Sequence, residues 1–539
     1  MKKNADRSTH ADPLAALRVI DRLEVGPVQV TNKRLSAPYR VFQGQEVYDT
    51  QLIYSYDEPV FTAGDGESEN LAAVIAVQAA INYGLFCKKM IFYGPYDEAD
   101  RNFLRAVLDN TAKEILVNKL LTANPFILHQ DTLLAAHSRG DVLGAPRILP
   151  GCLEFAGPDA VQARPWPGRR DKYCVLSSGG KDSLLSYGLL AEMGVETMPV
   201  FVNESGRHWY TALNAYRYFR EHVANTRRVW TNADRLFAWM LRRIPFITPR
   251  FLAKRADEYP LRLWTVAVFL FGALPLCRKY GLGRLVIGDE FDTSQRIPFG
   301  QVMHYNGLYD QSIFFDHALS RYYSRKNWCI EQFSLLRQMS EMLIQKTLYE
   351  RYPDLQRLQV SCHMTHIEKD QVKPCGACEK CCRVVGMLLA IGADPRRCGY
   401  TDAQILHCLK WLEKRDVHQE RAGREHLLYE LLREGILDAR RVAPDRVQSY
   451  PEILKLRFHP LCSPAAGLPA DIRRSLFTIL LRYARGSVAR HGSDWLEFDL
   501  LSDPMVSCNT HTVERDRDNE WLTKPQSVGC PEPMKPIAV

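Results

Sequence analysis

The run Tyr173-Cys174-Val175-Leu176-Ser177-Ser178-Gly179-Gly180-Lys181-Asp182-Ser183 constrains this chain more than any other segment. An apolar, strand-like stretch ends in a Ser-Ser-Gly-Gly turn that opens onto a helical pattern. Two adjacent glycines let the backbone curl so that successive N–H groups point at one anion, and the helix dipole adds to the pull. The hydroxyls of Ser178 and Ser183 add hydrogen bonds. A bare Gly-Gly pair would read as an ordinary turn, but the strand before, the helix after and the matching polar positions favour a polyphosphate ligand. The segment is not a Walker A loop, because Asp182 follows Lys181 where a magnesium-binding Ser or Thr is required. Asp182 beside phosphates makes sense if it holds a bridging Mg²⁺ or braces the loop.

Strand-then-helix units follow. Lys181 to Met193 reads as a helix, Met198 to Val202 as a strand, His208 to His222 as a helix and Arg228-Val229-Trp230 as a short strand. The apolar helix 261–279 and the strand Arg284 to Gly288 come later. Alternation of this kind predicts an α/β fold with a parallel, doubly wound sheet and ligands at the carboxyl ends of its strands. Asn203, at the end of the second strand, falls beside that edge.

Four regions are expected. Residues 1–163 mix strand-like stretches with helical patterns and read as an α+β accessory domain, closed by a Pro- and Arg-rich linker at 163–170. Residues 171–395 hold the phosphate loop and a cysteine cluster, 396–502 read as a helical C-terminal extension, and 503–539 are polar and proline-bearing with the composition of a disordered tail. The charge-free apolar run Leu263 to Cys277 is 15 residues, short of the ~18–20 that cross a bilayer. No apolar stretch follows the basic first residues, so neither an export signal nor a membrane partner is expected, and the 15 cysteines fit reduced thiols in a cytoplasm. A net charge of +8 suits anionic small molecules as well as nucleic acid. The sequence does not reveal an oligomeric state.

Cys362, Cys375, Cys378 and Cys381 have the spacing C-x12-C-x2-C-x2-C. Four thiolates can surround one Zn²⁺ in a closed, structural site; an iron–sulfur cluster is the competitor. Cys382 is an alternative to Cys381, and His366 to Cys362.

The loop resembles that of the PP-loop ATP pyrophosphatases, the adenine nucleotide alpha-hydrolase-like superfamily. That resemblance implies ATP split into AMP and pyrophosphate, with Ser177, Ser178, Gly179, Gly180, Lys181, Asp182 and Ser183 binding the nucleotide and Asn203 near its adenosine. With Cys-Gly-x-Cys-x-x-Cys about 190 residues later, the pattern is similar to the 7-cyano-7-deazaguanine synthase family over roughly 173–390. Tyr259-Pro260-Leu261-Arg262 and Leu285 to Asp292 also match segments of that family. The accessory region before a Gly-Gly-Lys-Asp-Ser loop, Met339 to Ile344, Ser361-Cys362 and Cys378-Glu379-Lys380-Cys381 resemble the ATP-dependent epimerases of UDP-N-acetylmuramoyl-alanyl-glutamate.

Both families activate a carboxylate, so the chain is expected to be an enzyme that adenylates a small carboxylate, using ATP, Mg²⁺ and Zn²⁺. Asp182, Arg262, Asp289 and Lys346 are the candidate catalytic groups, with Glu290, Asp292 and His208 near the same edge. A surface ion pair is an equal reading of Lys346. Two alternatives stand: tRNA modification, with Arg242, Arg243, Arg250, Lys254 and Arg255 as an RNA face, and a nucleotide-binding regulator without turnover.

Overall fold

The computed structural model describes residues 14–130, 152–159, 164–249, 259–300 and 302–508. Among these, eleven strands build one sheet. Its order runs Glu331–Phe333, Leu282–Val286, Arg169–Ser177, Glu196–Asn203, Arg227–Thr231, Glu46–Tyr56, Arg34–Gln43, Ile20–Val25, Cys87–Tyr93 and Cys152–Ala156, with Gln29–Thr31 beside Arg34–Gln43. The first five are mutually parallel. Chain order reverses at Arg169–Ser177, which has the next strand in sequence on one side and Leu282–Val286 on the other, so its carboxyl end opens into the crevice where doubly wound sheets bind ligands.

The sheet is mostly rather than wholly parallel. A long antiparallel hairpin, Arg34–Gln43 with Glu46–Tyr56, pairs with Arg227–Thr231 through Tyr54↔Thr231 and Tyr56↔Val229. On its far side lies a second parallel block, Ile20–Val25, Cys87–Tyr93 and Cys152–Ala156. Residues before and after the proline-rich stretch 163–170 therefore share a sheet. That stretch is itself anchored: Trp166 stacks on Trp328 with ring centroids 4.1 Å apart.

Period-two alternation divides the strands around the glycine turn between two cores. Cys174, Met198, Val200 and Leu285 face one core, which continues through the N-terminal strands and the helices Gly66–Val77 and Val266–Tyr280. Tyr173, Val175, Phe201 and Val286 face the other, packed by the helices Lys181–Glu192, His208–His222, Glu341–Arg351 and Ala470–Leu480. The apolar run near 263–277 is thus a buried helix; it starts on the Asp310 carboxylate, which accepts from the N–H groups of Thr265, Val266 and Ala267. No helix of the described residues is long and apolar enough to cross a membrane.

A third core surrounds the cysteine cluster and gathers the helices Glu379–Ala390, Asp402–Leu412 and Arg421–Arg433. The C-terminal region is helical only in part. Leu456–Phe458, Ser487–His491 and Asp494–Glu497 form a separate three-stranded sheet, whose three- to five-residue strands carry too few alternations to signal themselves. Residues 503–508, grouped with the polar tail by composition, pack instead: Val506 is buried, and the carbonyls of Met505 and Cys508 accept from Arg473. The rest of that tail, 509–539, lies outside the described residues.

Candidate functional site

The glycine loop leaves the strand Arg169–Ser177 and enters the helix Lys181–Glu192 through Gly180, which provides no side-chain cap. Gly179 has φ +69°, and a Cβ there would lie 2.8 Å from the Ala212 Cα, so only glycine can follow this path against the helix His208–His222. The loop is tied to itself. Ser177 Oγ and Ser178 Oγ accept from the N–H groups of Gly179 and Gly180, both at 3.4 Å, and Ser183 Oγ donates to the Gly180 carbonyl at 3.1 Å. Ser178 remains exposed at the mouth. A helix start with no side-chain cap that carries a tight glycine turn can cradle an anion.

The Lys181 ammonium does not reach out towards solvent. It is buried, and Nζ lies 2.8 Å from Asp182 Oδ1, 3.1 Å from Glu290 Oε2 and 3.3 Å from Glu341 Oε1. Burial opposes its charge, but the three carboxylates outweigh burial and keep it protonated. Glu341, at the start of the helix Glu341–Arg351, is also 3.6 Å from Arg383. Arg383 and Lys181 together overcome burial and hold the Glu341 carboxyl below its ordinary range. Glu290 is pushed the other way by burial. Asp292 is raised to about 7 by burial, with Glu420 and Glu341 as like-charged neighbours. Excess carboxylate beside an anion cradle is the setting in which a divalent cation bridges protein to phosphate.

The remaining expected residues do not all converge on the loop. Asn203 Oδ1 accepts from the Ser205 N–H at 2.9 Å, fixing a turn in which Ser205 has φ +62°. Arg262 is buried, 3.2 Å from Asp234 and stacked over Tyr259 with its guanidinium carbon 3.8 Å from the ring centroid. His208 Nε2 is hydrogen-bonded with the Tyr259 hydroxyl. Asp289 turns inward: it is buried, Arg337 lies 3.5 Å away, and its Oδ2 takes no hydrogen bond among the described residues. Burial pushes its carboxyl well up. Lys346 is held by Glu350 and the Tyr483 carbonyl, both at 2.8 Å, and so is drawn to the C-terminal region rather than to the loop. Arg243 lies over the Tyr48 ring, 3.9 Å from its centroid; Arg250, Lys254 and Arg255 lie outside the described residues.

Cys362, Cys375, Cys378 and Cys381 converge, with all four sulfurs within 4.8 Å of one another. The Cys375–Cys381 and Cys362–Cys378 separations are 3.9 and 4.0 Å. Four sulfurs about 2.3 Å from a tetrahedral ion would stand about 3.8 Å apart, so the set fits a metal. Backbone N–H groups of Met364 and Cys375 donate to Cys362 Sγ, and those of Ala377 and Cys378 to Cys375 Sγ. Gly376, at φ +66°, makes the tight turn; a Cβ there would strike Gln404. Cys382 turns away to Cys408, and His366 is exposed on a hairpin. Neither belongs to the set.

Sequence reasoning did not single out Arg383 or Glu204. Glu204, buried beside His208, accepts from the Trp209 N–H, and burial raises its carboxyl. Glu341 is legible only as part of the segment Met339 to Ile344. Arg383 has no signal of its own, since an arginine after two cysteines reads as a solvated side chain until the fold sets it on Glu341.

A 65-residue stretch of the chain is 38% identical to 7-cyano-7-deazaguanine synthase from Chlorobium phaeobacteroides (strain DSM 266 / SMG 266 / 2430), covering 12% of this chain and 29% of that enzyme. No family model and no solved structure matches. The likeness is partial: the matched stretch spans less than a third of that enzyme's length.

Proposed function

We propose that this chain is a PP-loop enzyme that adenylates a small-molecule carboxylate, releasing AMP and pyrophosphate. The observation that carries the reading is the uncapped Ser-Ser-Gly-Gly turn at the point where strand order reverses, with carboxylates gathered behind it. In this reading the loop N–H groups, Ser178 and Ser183 hold the β and γ phosphates. A substrate carboxylate oxygen attacks the α phosphorus, the bond to the β phosphate breaks, and the electron pair leaves on pyrophosphate. Asp182 and Glu290 would hold Mg²⁺, which supplies neutralising charge against the phosphates. Lys181 orients those carboxylates. Arg262, held on Asp234 just past the carboxyl end of Arg227–Thr231, would meet the substrate, with Asn203 towards the adenosine. The four cysteines would hold Zn²⁺ as a closed structural site.

Deazapurine acids and UDP-muramoyl peptides are the carboxylates that the motif likeness suggests. The test is product analysis of labelled ATP with Mg²⁺ and full-length protein, supplied separately with small-molecule and RNA fractions of a lysate. AMP and pyrophosphate only with small molecules supports the proposal. The same products only with RNA would transfer the reading to tRNA modification, while ADP, or no turnover in either fraction, would overturn it.

A further inference from the structure

The cysteine cluster and the glycine loop are far apart in sequence, yet a short chain of charged contacts joins them. Cys378 is the N-cap of the helix Glu379–Ala390 and Cys381 lies in its first turn, so a metal on these sulfurs would fix the start of that helix. Arg383 lies one turn on from Glu379. Its guanidinium donates to the His418 carbonyl and lies 3.9 Å from Glu379, which itself accepts from the His418 N–H at 2.8 Å. From this fixed position it reaches Glu341 at 3.6 Å, and Glu341 reaches Lys181, the first residue of the phosphate-loop helix, at 3.3 Å. Arg383 and Glu341 side chains are only 15% and 9% exposed, so solvent screens these contacts weakly.

A second strut runs from the same knuckle. The hairpin His366–Glu368 with Gln371–Lys373 lies between Cys362 and Cys375 in sequence. Its Val372 is bonded through both N–H and carbonyl to the Asn214 side chain, at 2.9 and 2.8 Å. Asn214 belongs to the helix His208–His222, whose Thr211 and Ala212 back Gly179. The two sides of the glycine loop therefore each rest on the knuckle.

We infer that Arg383 and Glu341 are positioning residues that tie the metal centre to the phosphate loop, so that occupancy of the four-cysteine site sets the affinity for nucleotide. The inference rests on the ATP reading above for its ligand, though not for its mechanical part. A knuckle that served only to close the third core would change stability without changing the loop. A tie changes both, and by linkage the nucleotide must raise metal affinity by the same factor that the metal raises nucleotide affinity.

The experiment uses full-length protein, Zn²⁺-loaded or stripped by chelation, as wild type, Arg383→Met, Arg383→Lys and Glu341→Gln. It reads metal content, amide hydrogen exchange and the affinity for a non-hydrolysable ATP analogue. Stripping the wild type is expected to speed exchange across 178–184 and 209–215, leave the strand Glu196–Asn203 protected, and weaken the analogue about tenfold or more. Arg383→Met should keep its full Zn²⁺ yet exchange across 178–184 like the stripped wild type, with an analogue affinity that no longer responds to metal; Arg383→Lys should recover part of the response. If Arg383→Met does not fold, Glu341→Gln carries the same expectation. Unchanged exchange across 178–184 on stripping, or a full metal response in both Arg383→Met and Glu341→Gln, would overturn the inference. A chain that binds no analogue in any state would remove the ATP reading alone, and the exchange data would still decide the tie.

Discussion

Among the described residues, Lys326 and Lys181 are both buried among carboxylates, and their surroundings differ. Lys326 contacts Asn70 Oδ1 at 2.9 Å, Asp100 at 3.0 Å and Asp97. Each carboxylate there is completed by other donors: Asp100 accepts from Asn70 Nδ2 and the Tyr322 hydroxyl, both at 2.7 Å, and Asp97 Oδ1 caps the helix Glu98–Ile115. The cluster is closed, and it bolts the N-terminal block to the helix Ile313–Arg325. Lys181 sits among three carboxylates, but Glu290 and Glu341 are met, among the described residues, by cations alone, next to a helix start that has no side-chain cap. Burial and charge type do not separate a clamp from a site. Completion of the hydrogen bonds by neutral partners does.

Replacing each lysine by methionine tests the contrast most strongly. Lys326→Met leaves Asp97 and Asp100 without their cation and should cost roughly 3–5 kcal/mol, read from denaturant midpoints. Lys181→Met should cost less, since Arg383 still holds Glu341 and the raised Glu290 can take up a proton, while pyrophosphate release falls about a hundredfold. Equal destabilisation by the two changes would break the comparison.

A pH series sharpens it. The Asp292 carboxyl titrates at about 7 in the fold against an ordinary 3.8, so the folded state binds the proton more tightly than the unfolded chain. Its neutral form suits the fold below about pH 4, and stability is lost as pH rises through about 7. Asp292→Asn should therefore gain stability relative to wild type between pH 4 and 7.5; a difference that stays flat across that window would show that the cluster is not charge-strained.

The smallest effect is expected at Lys346. Lys346→Ala removes a partly exposed ion pair and a carbonyl contact, and should shift stability by less than about 1 kcal/mol with pyrophosphate release unchanged. A large loss of turnover would return this lysine to the catalytic set.

Much of this was legible from residues near one another in sequence. The Ser177-to-Ser183 turn, the strand and helix on either side of it, and the C-x12-C-x2-C-x2-C spacing are local patterns, and the structure places four of the named cysteines on one centre. Asn203 and Arg262 fall at the strand ends because alternation of strands and helices fixes which end of the sheet is which. What was not legible depends on distant pairing. The hairpin Arg34–Gln43 with Glu46–Tyr56 joins Arg227–Thr231 across some 170 residues of sequence, and the stretch 163–170 has the prolines and charges of a linker although Trp166 is buried on Trp328.

The sequence by itself determined the tight glycine turn, the parallel frame around it and which four thiols converge, because glycine conformation, hydrophobic period and cysteine spacing are encoded within a few residues. Tertiary structure alone decided that Lys181 faces inward, that Asp289 is buried on Arg337, that Lys346 leaves the site and that Arg383 connects the knuckle to the loop. A side chain's charge is written in the sequence, but its partner is set by which segments the cores bring within a few ångströms, and in a buried site that partner governs protonation, orientation and chemistry.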